Sequence, residues 1–279
     1  MNSRSPWLKP ILRWAGSKRQ LTPVLAEYYP PGGPRYVEPF AGSACLFFRL
    51  LPEQAILADI NTELMTTYAA VSADPASVHT ALSAVRSTSP AEYYRLRSLD
   101  PSTLDPWARA ARFLFLNRYC FNGLYRTDKH GRFNVPYGSS RVGRLPTLEE
   151  LAEYSRALGG AELLTADFEE TVAQVRGGDF VYMDPPYAVK TQWRRGRHYT
   201  DDAFAVDDVD RLRSAMSNID RAGATFLVSY ADSEEGHLVA SGWRVRTQTV
   251  RRSIAGSTFK RTRVEELLIS NGTLGPRDS

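Results

Sequence analysis

The chain has 279 residues, 43% hydrophobic and 24% charged, which is the balance of a soluble globular protein with room for one large α/β domain carrying an insertion. No run of about 18 apolar residues occurs and Met1 to Trp7 have no apolar core, so neither a membrane-spanning helix nor a secretory leader is expected. Cys45 and Cys120 are too few for a disulfide framework or a thiolate zinc site, which makes a reducing, cytoplasmic location the expectation, and the net charge of +4 excludes little by itself.

Near the N-terminus, Ala15-Gly16-Ser17 forms a small turn that lets Trp14 and Lys18 converge on one ligand. A core tryptophan beside a surface lysine fits the same pattern. A strand over Arg35 to Phe40 runs into Ala41-Gly42-Ser43 and then an apolar helical run, Ala44 to Leu51. Strand, tight glycine turn and helix open a nucleotide-binding βαβ unit with the helix N-terminus toward the ligand. A second strand, Ala55 to Ala58, ends at Asp59, where such units place a carboxylate for ribose hydroxyls. Asp59 also fits the cap region of the helix that Asn61 and Glu63 open.

From Thr62 to about Leu116 the pattern is helical, broken at Pro75, Pro90, Pro101 and Pro106. Between Arg112 and Arg144 stand seven basic residues (Arg112, Arg118, Arg126, Lys129, Arg132, Arg141, Arg144) against one acid, Asp128. Such a block is the footprint expected for a phosphate backbone, although a solvated basic face has the same composition. Within it, Phe121-Asn122-Gly123-Leu124-Tyr125-Arg126 and Phe133-Asn134-Val135-Pro136-Tyr137-Gly138 predict a β-hairpin with Gly131 at its tip. Asn and Arg pair bidentately with purine edges, and interleaved aromatics can wedge into base steps. An Asn-Gly pair is equally an ordinary turn.

A helix over Thr147 to Leu158, a strand over Glu162 to Thr165 and the pair Asp167-Phe168 follow. Asp179 to Met183 then reads as a short buried strand that delivers Asp184-Pro185-Pro186-Tyr187 to its carboxyl end, where open α/β sheets bind ligands. Two prolines fix that loop in an extended form. A carboxylate from Asp184 and the carbonyl of Pro185 could accept the N–H bonds of an exocyclic amine and favour a lone-pair-bearing nitrogen, while Tyr187 offers a face for a base. A Pro-Pro turn with no chemistry fits four residues as well. Lys190 to His198 carries four basic residues and no acid, and predicts a loop that covers a substrate. The chain continues with a helix at Asp207 to Ala222, a strand at Thr225 to Tyr230, a helix at Ser233 to Ala240 and two final strands, Trp243 to Arg251 and Arg263 to Ser270. The alternation of strand and helix lapses between about Val71 and Arg144, which marks an inserted domain.

In this order the motifs Arg13-Trp14-Ala15-Gly16-Ser17-Lys18, Glu38-Pro39-Phe40-Ala41-Gly42, Leu57-Ala58-Asp59-Ile60-Asn61, Leu116-Asn117-Arg118-Tyr119, the two ribbon segments, Asp184-Pro185-Pro186-Tyr187 and Val250-Arg251-Arg252-Ser253-Ile254 resemble the Dam-type DNA adenine-N6 methyltransferases, the D12 class or alpha group. The resemblance implies a Rossmann-like, mostly parallel α/β sheet with a final antiparallel strand. It assigns residues 1–70 and 145–279 to a catalytic domain and 71–144 to a helical and β-hairpin target-recognition domain. It further implies S-adenosylmethionine as cofactor, a flipped adenine in double-stranded DNA as substrate, no metal, no obligate protein partner and no membrane, with the enzyme at the nucleoid when acting. Asp184, Pro185, Pro186 and Tyr187 match the catalytic motif. Trp14, Lys18, Phe40, Gly42, Asp59, Asp167, Phe168 and Asp184 match the cofactor site, and Arg13, Asn122, Leu124, Arg126 and Pro136 match positions that read DNA in relatives specific for GATC.

Two positions depart from the family. Ala44 replaces a second glycine of the turn, which costs little if its φ is negative. Ser139 and Ser140 stand where relatives place an aromatic or basic residue, which weakens any expectation about bases outside the core. Competing readings are methyl transfer to cytosine N4, RNA adenine or a protein amide, a non-catalytic DNA-binding relative, and a nicotinamide oxidoreductase. The last explains Gly42 and Asp59 but leaves the ribbon and the Pro-Pro loop without purpose.

Overall fold

Alternation along the central strand sets the layering. Phe180 and Tyr182 face one side of the sheet and Val181 and Met183 the other, and all four are buried. A strand buried on both faces reads as one continuous apolar run, as this one does. The computed structural model describes residues 7–139, 144–187, 206–253 and 261–272. Its strands are β1 (Tyr36–Glu38), β2 (Ala55–Asp59), β3 (Ala161–Thr165), β4 (Phe180–Met183), β5 (Thr225–Ala231), β6 (Arg244–Ser253) and β7 (Arg261–Ser270). They form a seven-stranded sheet in the order β3-β2-β1-β4-β5-β7-β6. Strands β1 to β5 are mutually parallel, and β7 runs antiparallel to both β5 and β6. The mostly parallel, Rossmann-like α/β sheet with a final antiparallel strand is therefore present.

Strand order reverses between β1 and β4, so connections leave in opposite directions and open a crevice at their carboxyl ends. The residues following β1 and β4 are the Gly42 turn and the Asp184 loop. Topology alone thus brings together two motifs some 140 residues apart in sequence.

The helices are α1 (Thr22–Leu25), α2 (Phe47–Leu50), α3 (Thr62–Ala73), α4 (Pro75–Ser83), α5 (Pro90–Ser98), α6 (Pro106–Tyr119), α7 (Leu148–Leu158), α8 (Phe168–Val172), α9 (Val206–Arg221) and α10 (Glu234–Ala240). Helices α4, α5 and α6 each begin on a proline, whose missing N–H is harmless in a first turn. Asp74, Ser89 and Asp105 cap them by accepting from backbone N–H groups. Thr147 and Glu150 form a capping box at α7. Helices α3, α4, α6 and α7 share one core with Tyr36, Leu57, Phe180 and Tyr182, while α8, α9 and α10 cover the other face with Val37, Val181, Phe226 and Ile269. Each fully buried side chain of this kind contributes about 1.5–3 kcal/mol. A smaller cluster of Tyr93, Leu96, Phe115, Leu116, Tyr119, Cys120 and Val135 joins α5 and α6 to the ribbon. No described helix is long and apolar enough to cross a membrane.

Three expectations change. The run Ala44 to Leu51 yields only the one-turn α2, because Ala44 (φ 47°) and Leu51 (φ 50°) both take left-handed backbone. The hairpin is an irregular ribbon held by two isolated antiparallel bridges, Cys120 with Tyr137 and Thr127 with Phe133. Asn122 (φ 56°) and Gly123 (φ 66°) curl one arm into a 3-10 turn, and Pro136 lacks a donor in the other. Arg112, counted in the basic block, is buried and donates to the carbonyls of Leu96 (2.8 Å) and Arg97 (3.1 Å), closing the end of α5. The loop expected at Lys190 to His198, and Arg141 and Ser140, lie outside the described residues.

Candidate active site

Asp184 follows β4 directly, and its carboxylate is gripped from one side. Lys18 Nζ donates to Oδ1 at 2.5 Å and Ser229 Oγ to the same oxygen at 3.2 Å. Because Ser229 spends its proton there, Tyr182 OH (3.0 Å) is the donor to Ser229 Oγ. Among the described residues no hydrogen bond reaches Asp184 Oδ2, and the side chain keeps 20% of its surface exposed. Among those residues Oδ1 is anchored and Oδ2 accepts from none.

Lys18 is only 6% exposed and stands among Asp184, Glu266 (3.8 Å) and the face of Tyr187 (5.0 Å to the ring centroid). Burial opposes its charge, but Asp184, then Tyr187 and Glu266, overcome this and hold its pKa above the ordinary lysine value. Burial raises the Asp184 carboxyl, and the Lys18 charge works against that rise. Tyr187 OH donates to Glu266 Oε2 at 2.8 Å, which fixes the ring beside the prolines; Pro185 is buried and Pro186 exposed. Glu266 is 1% exposed on β7.

The Gly42 turn forms the second wall. Asp59 Oδ2 accepts from Gly42 N–H (2.9 Å) and its Oδ1 from Asn61 N–H (2.9 Å), while Tyr68 OH donates to the Gly42 carbonyl at 2.8 Å. Asp59 thus braces the glycine turn and Asn61, the residue that caps α3. The Trp14 indole lies so close to Gly42 that a Cβ there would sit 2.9 Å from Cδ1 and Nε1. At φ 46° and with that neighbour, only glycine fits. Ala44 in the same turn has φ 47°, so the expectation of a negative φ there is corrected and the alanine sits in left-handed backbone. Below the turn Glu38 is 2% exposed and accepts from Tyr36 OH at 2.9 Å. Burial, together with the negative charges of Asp184 and Asp59, pushes its carboxyl well above the usual range.

The third wall is Phe40 stacked on Phe168, centroids 5.1 Å apart. Asp167 caps α8 through Glu169 N–H (2.9 Å) and accepts from Arg211 Nη2 (2.7 Å), whose guanidinium lies 4.6 Å over the Phe168 ring. Lys18, Asp184 and Tyr187 thus form one contact group, Trp14, Gly42 and Asp59 a second and Phe40, Asp167 and Phe168 a third, with the first two joined by Ser17 Oγ and Ser43 Oγ at 2.9 Å. Sequence reasoning missed Ser229, Glu266, Tyr182 and Arg211. The only trace of Ser229 is a polar residue inside the largely apolar β5, while Glu266 is one of several polar residues in β7 and leaves none.

Of the residues expected to read DNA, Asn122, Leu124, Arg126 and Pro136 lie on the ribbon and Arg13 on the N-terminal segment packed against it. Arg13 packs on Gly123, where a Cβ would come within 2.6 Å of the Arg13 Cβ, and donates from Nη1 to the Arg118 carbonyl at 3.1 Å. Asn117 holds the Arg13 backbone at both its N–H (2.9 Å) and its carbonyl (2.7 Å). Asn122 and Pro136 are exposed and Leu124 and Arg126 half-buried. Arg126 Nε donates to Asn134 Oδ1 at 2.6 Å across the ribbon.

Residues 14–254 match the family model described as D12 class N6 adenine-specific DNA methyltransferase. A type II methyltransferase of Lactococcus lactis subsp. cremoris is 31% identical over 271 residues, covering 95% of each chain. A type II methyltransferase of Methanocaldococcus jannaschii is 32% identical, covering 95% of this chain and 99% of that one. A DNA adenine methylase of Haemophilus influenzae is 30% identical, covering 95% of both.

Proposed function

The chain belongs to the D12 class of N6 adenine-specific DNA methyltransferases, and from that premise we propose that it methylates adenine within GATC, using S-adenosylmethionine held in the crevice between β1 and β4. The observation that carries the site assignment is the one-sided anchoring of Asp184, with Lys18 and Ser229 on Oδ1 and Oδ2 open. When bound, the donor supplies an electrophilic methyl on a sulfonium. The residues suit it: Asp59, Asp184 and Glu266 outnumber the one ammonium of Lys18, so the crevice favours a cation, and Phe40, Phe168 and Trp14 supply flat walls.

In this reading the adenine leaves its pair, since N6 is otherwise tucked into the duplex. It stacks on Tyr187 and offers its two N–H bonds to Asp184 Oδ2 and the Pro185 carbonyl. These acceptors favour a pyramidal nitrogen whose lone pair faces the methyl, and because Lys18, Ser229 and the proline ring already hold them, they need no reorganisation in the transition state. The N6 lone pair would take the methyl from the bound sulfonium, which would leave as the neutral thioether. The nitrogen then carries a positive charge, and its surplus proton passes to Asp184 Oδ2 and on to water.

The DNA-reading surface lies within 71–144, with Arg13 joining it from the N-terminal segment. Arg126 serves as the guanine partner, because its fork matches O6 and N7 together. Leu124 and Pro136 make apolar base contacts and Asn122 reads an edge. Expressing the chain in a methylation-free host and sequencing the DNA for modified bases tests this. N6-methyladenine at GATC is the expected result; methylation of another sequence overturns the GATC reading, and modified cytosine would contradict the acceptor.

A further inference from the structure

Tyr125 belongs to the ribbon, between Leu124 and Arg126, yet its ring packs into the catalytic domain's core. It lies offset on the Trp14 indole with centroids 5.8 Å apart and planes 20° apart. Phe113 of α6 and Phe133 of the opposite ribbon arm flank it at 5.7 Å and 5.6 Å. Burial, then the Glu63 carboxylate, push its phenol up to about 12. A chain of contacts leads from the glycine turn to this ring. Asn61 N–H donates to Asp59, Asp59 accepts from Gly42 N–H, Gly42 abuts Trp14, and Trp14 stacks on Tyr125. Any ligand that fixes Trp14, Gly42 and Asp59 therefore fixes the ring from which Leu124 and Arg126 extend on either side.

We propose that Tyr125 is a positioning residue that couples the cofactor pocket to the DNA-reading ribbon, so that occupation of either strengthens binding at the other through the Trp14–Tyr125 stack. The inference rests on the assignment of Trp14 to the cofactor pocket and of the ribbon to DNA. Coupling between binding sites is reciprocal, so the factor by which DNA tightens the cofactor equals the factor by which the cofactor tightens DNA. An offset aromatic pair is worth roughly two- to twelvefold in an equilibrium constant, which sets the size expected here.

The test is calorimetric and uses the full chain, S-adenosylhomocysteine (the donor without its methyl, so that nothing turns over) and a duplex carrying the sequence found methylated in cells. Affinity for S-adenosylhomocysteine is measured with and without duplex. The wild-type ratio should lie in the two- to twelvefold range. Tyr125→Phe keeps the ring and should keep the ratio, while Tyr125→Leu, which retains apolar bulk, should bring it to about one. Thermal melts establish that each variant is folded, and Tyr125→Met replaces the leucine variant if that one is not. A wild-type ratio of one, or an unchanged ratio in the folded aliphatic variant, overturns the proposal. Trp14→Leu separates the two levels. If it leaves S-adenosylhomocysteine affinity without DNA unchanged, the cofactor placement is wrong. If it weakens that affinity while the Tyr125 variants keep the ratio, the coupling alone fails.

Discussion

Gly42 and Ala44 share one tight turn and one sign of φ, but only the first is a glycine. Gly42→Ala should lose at least about 1–2 kcal/mol from left-handed backbone alone. Its new methyl would also press on the Trp14 indole, so cofactor binding should weaken beyond what the stability loss explains. Ala44→Gly is a closer contest. Relief of about 1–2 kcal/mol stands against about 0.8 kcal/mol for the buried methyl and about 0.5–1 kcal/mol of glycine chain entropy. Denaturant melts should find it within about 1 kcal/mol of wild type, which explains how an alanine persists there. Glu38 makes a pH prediction. Its carboxyl is raised by burial above the ordinary value of 4.5, so the native state binds that proton more tightly than the unfolded chain. The stability it contributes is complete below 4.5 and is lost as pH rises through the higher folded value. Glu38→Gln keeps an acceptor for Tyr36 OH and removes the titration, so its melting temperature should vary less with pH above that point and exceed wild type at the alkaline end. A wild-type curve as flat as that of the variant would show that Glu38 is ionised in the fold.

At the scale of elements, basic residues that look alike in sequence divide by what they touch. Arg112 holds the carbonyls at the end of α5, so Arg112→Gln should destabilise the fold by about 1–3 kcal/mol and leave the salt dependence of DNA binding unchanged. Arg144 sits in an exposed ion pair with Glu150, worth about 0–1 kcal/mol, which a phosphate can displace. Arg144→Gln should weaken all duplexes alike and flatten the salt dependence. Arg126→Ala should instead cost about 1–3 kcal/mol of discrimination at one base pair. Rates on single-base-substituted duplexes at two salt concentrations separate the three, and a uniform loss for Arg126→Ala would make it a backbone contact. Composition could not divide these residues, because a guanidinium capping a helix and one facing a phosphate come from the same letter. The prolines were more informative. Pro75, Pro90 and Pro106, read in the sequence as breaks in a helical run, prove to be the first residues of three helices, capped by Asp74, Ser89 and Asp105. The ribbon was harder to foresee, since the left-handed pair Asn122 and Gly123 bends an arm that alternation alone would have kept straight.

In the whole molecule, function follows from the order β3-β2-β1-β4-β5-β7-β6. The inner parallel strands β1, β2, β4 and β5 were legible because burial on both faces leaves an apolar run, and Asp59 and Asp184 because each ends such a run. Ser229 and Glu266 were not, for no spacing links them to Asp184; only the pairing of β4 with β5 and of β5 with β7 brings them to its carboxylate region. The resulting crevice holds one carboxylate by a single oxygen, and the account stands on the other oxygen accepting from the adenine amine. The most direct measurement is single-turnover transfer of labelled methyl to a duplex by Asp184→Ala, beside its affinities for that duplex and for S-adenosylhomocysteine. The account predicts a rate lower by about a hundred- to a thousandfold with DNA binding retained and the fold intact. A folded Asp184→Ala enzyme that transfers methyl at the wild-type rate would contradict it.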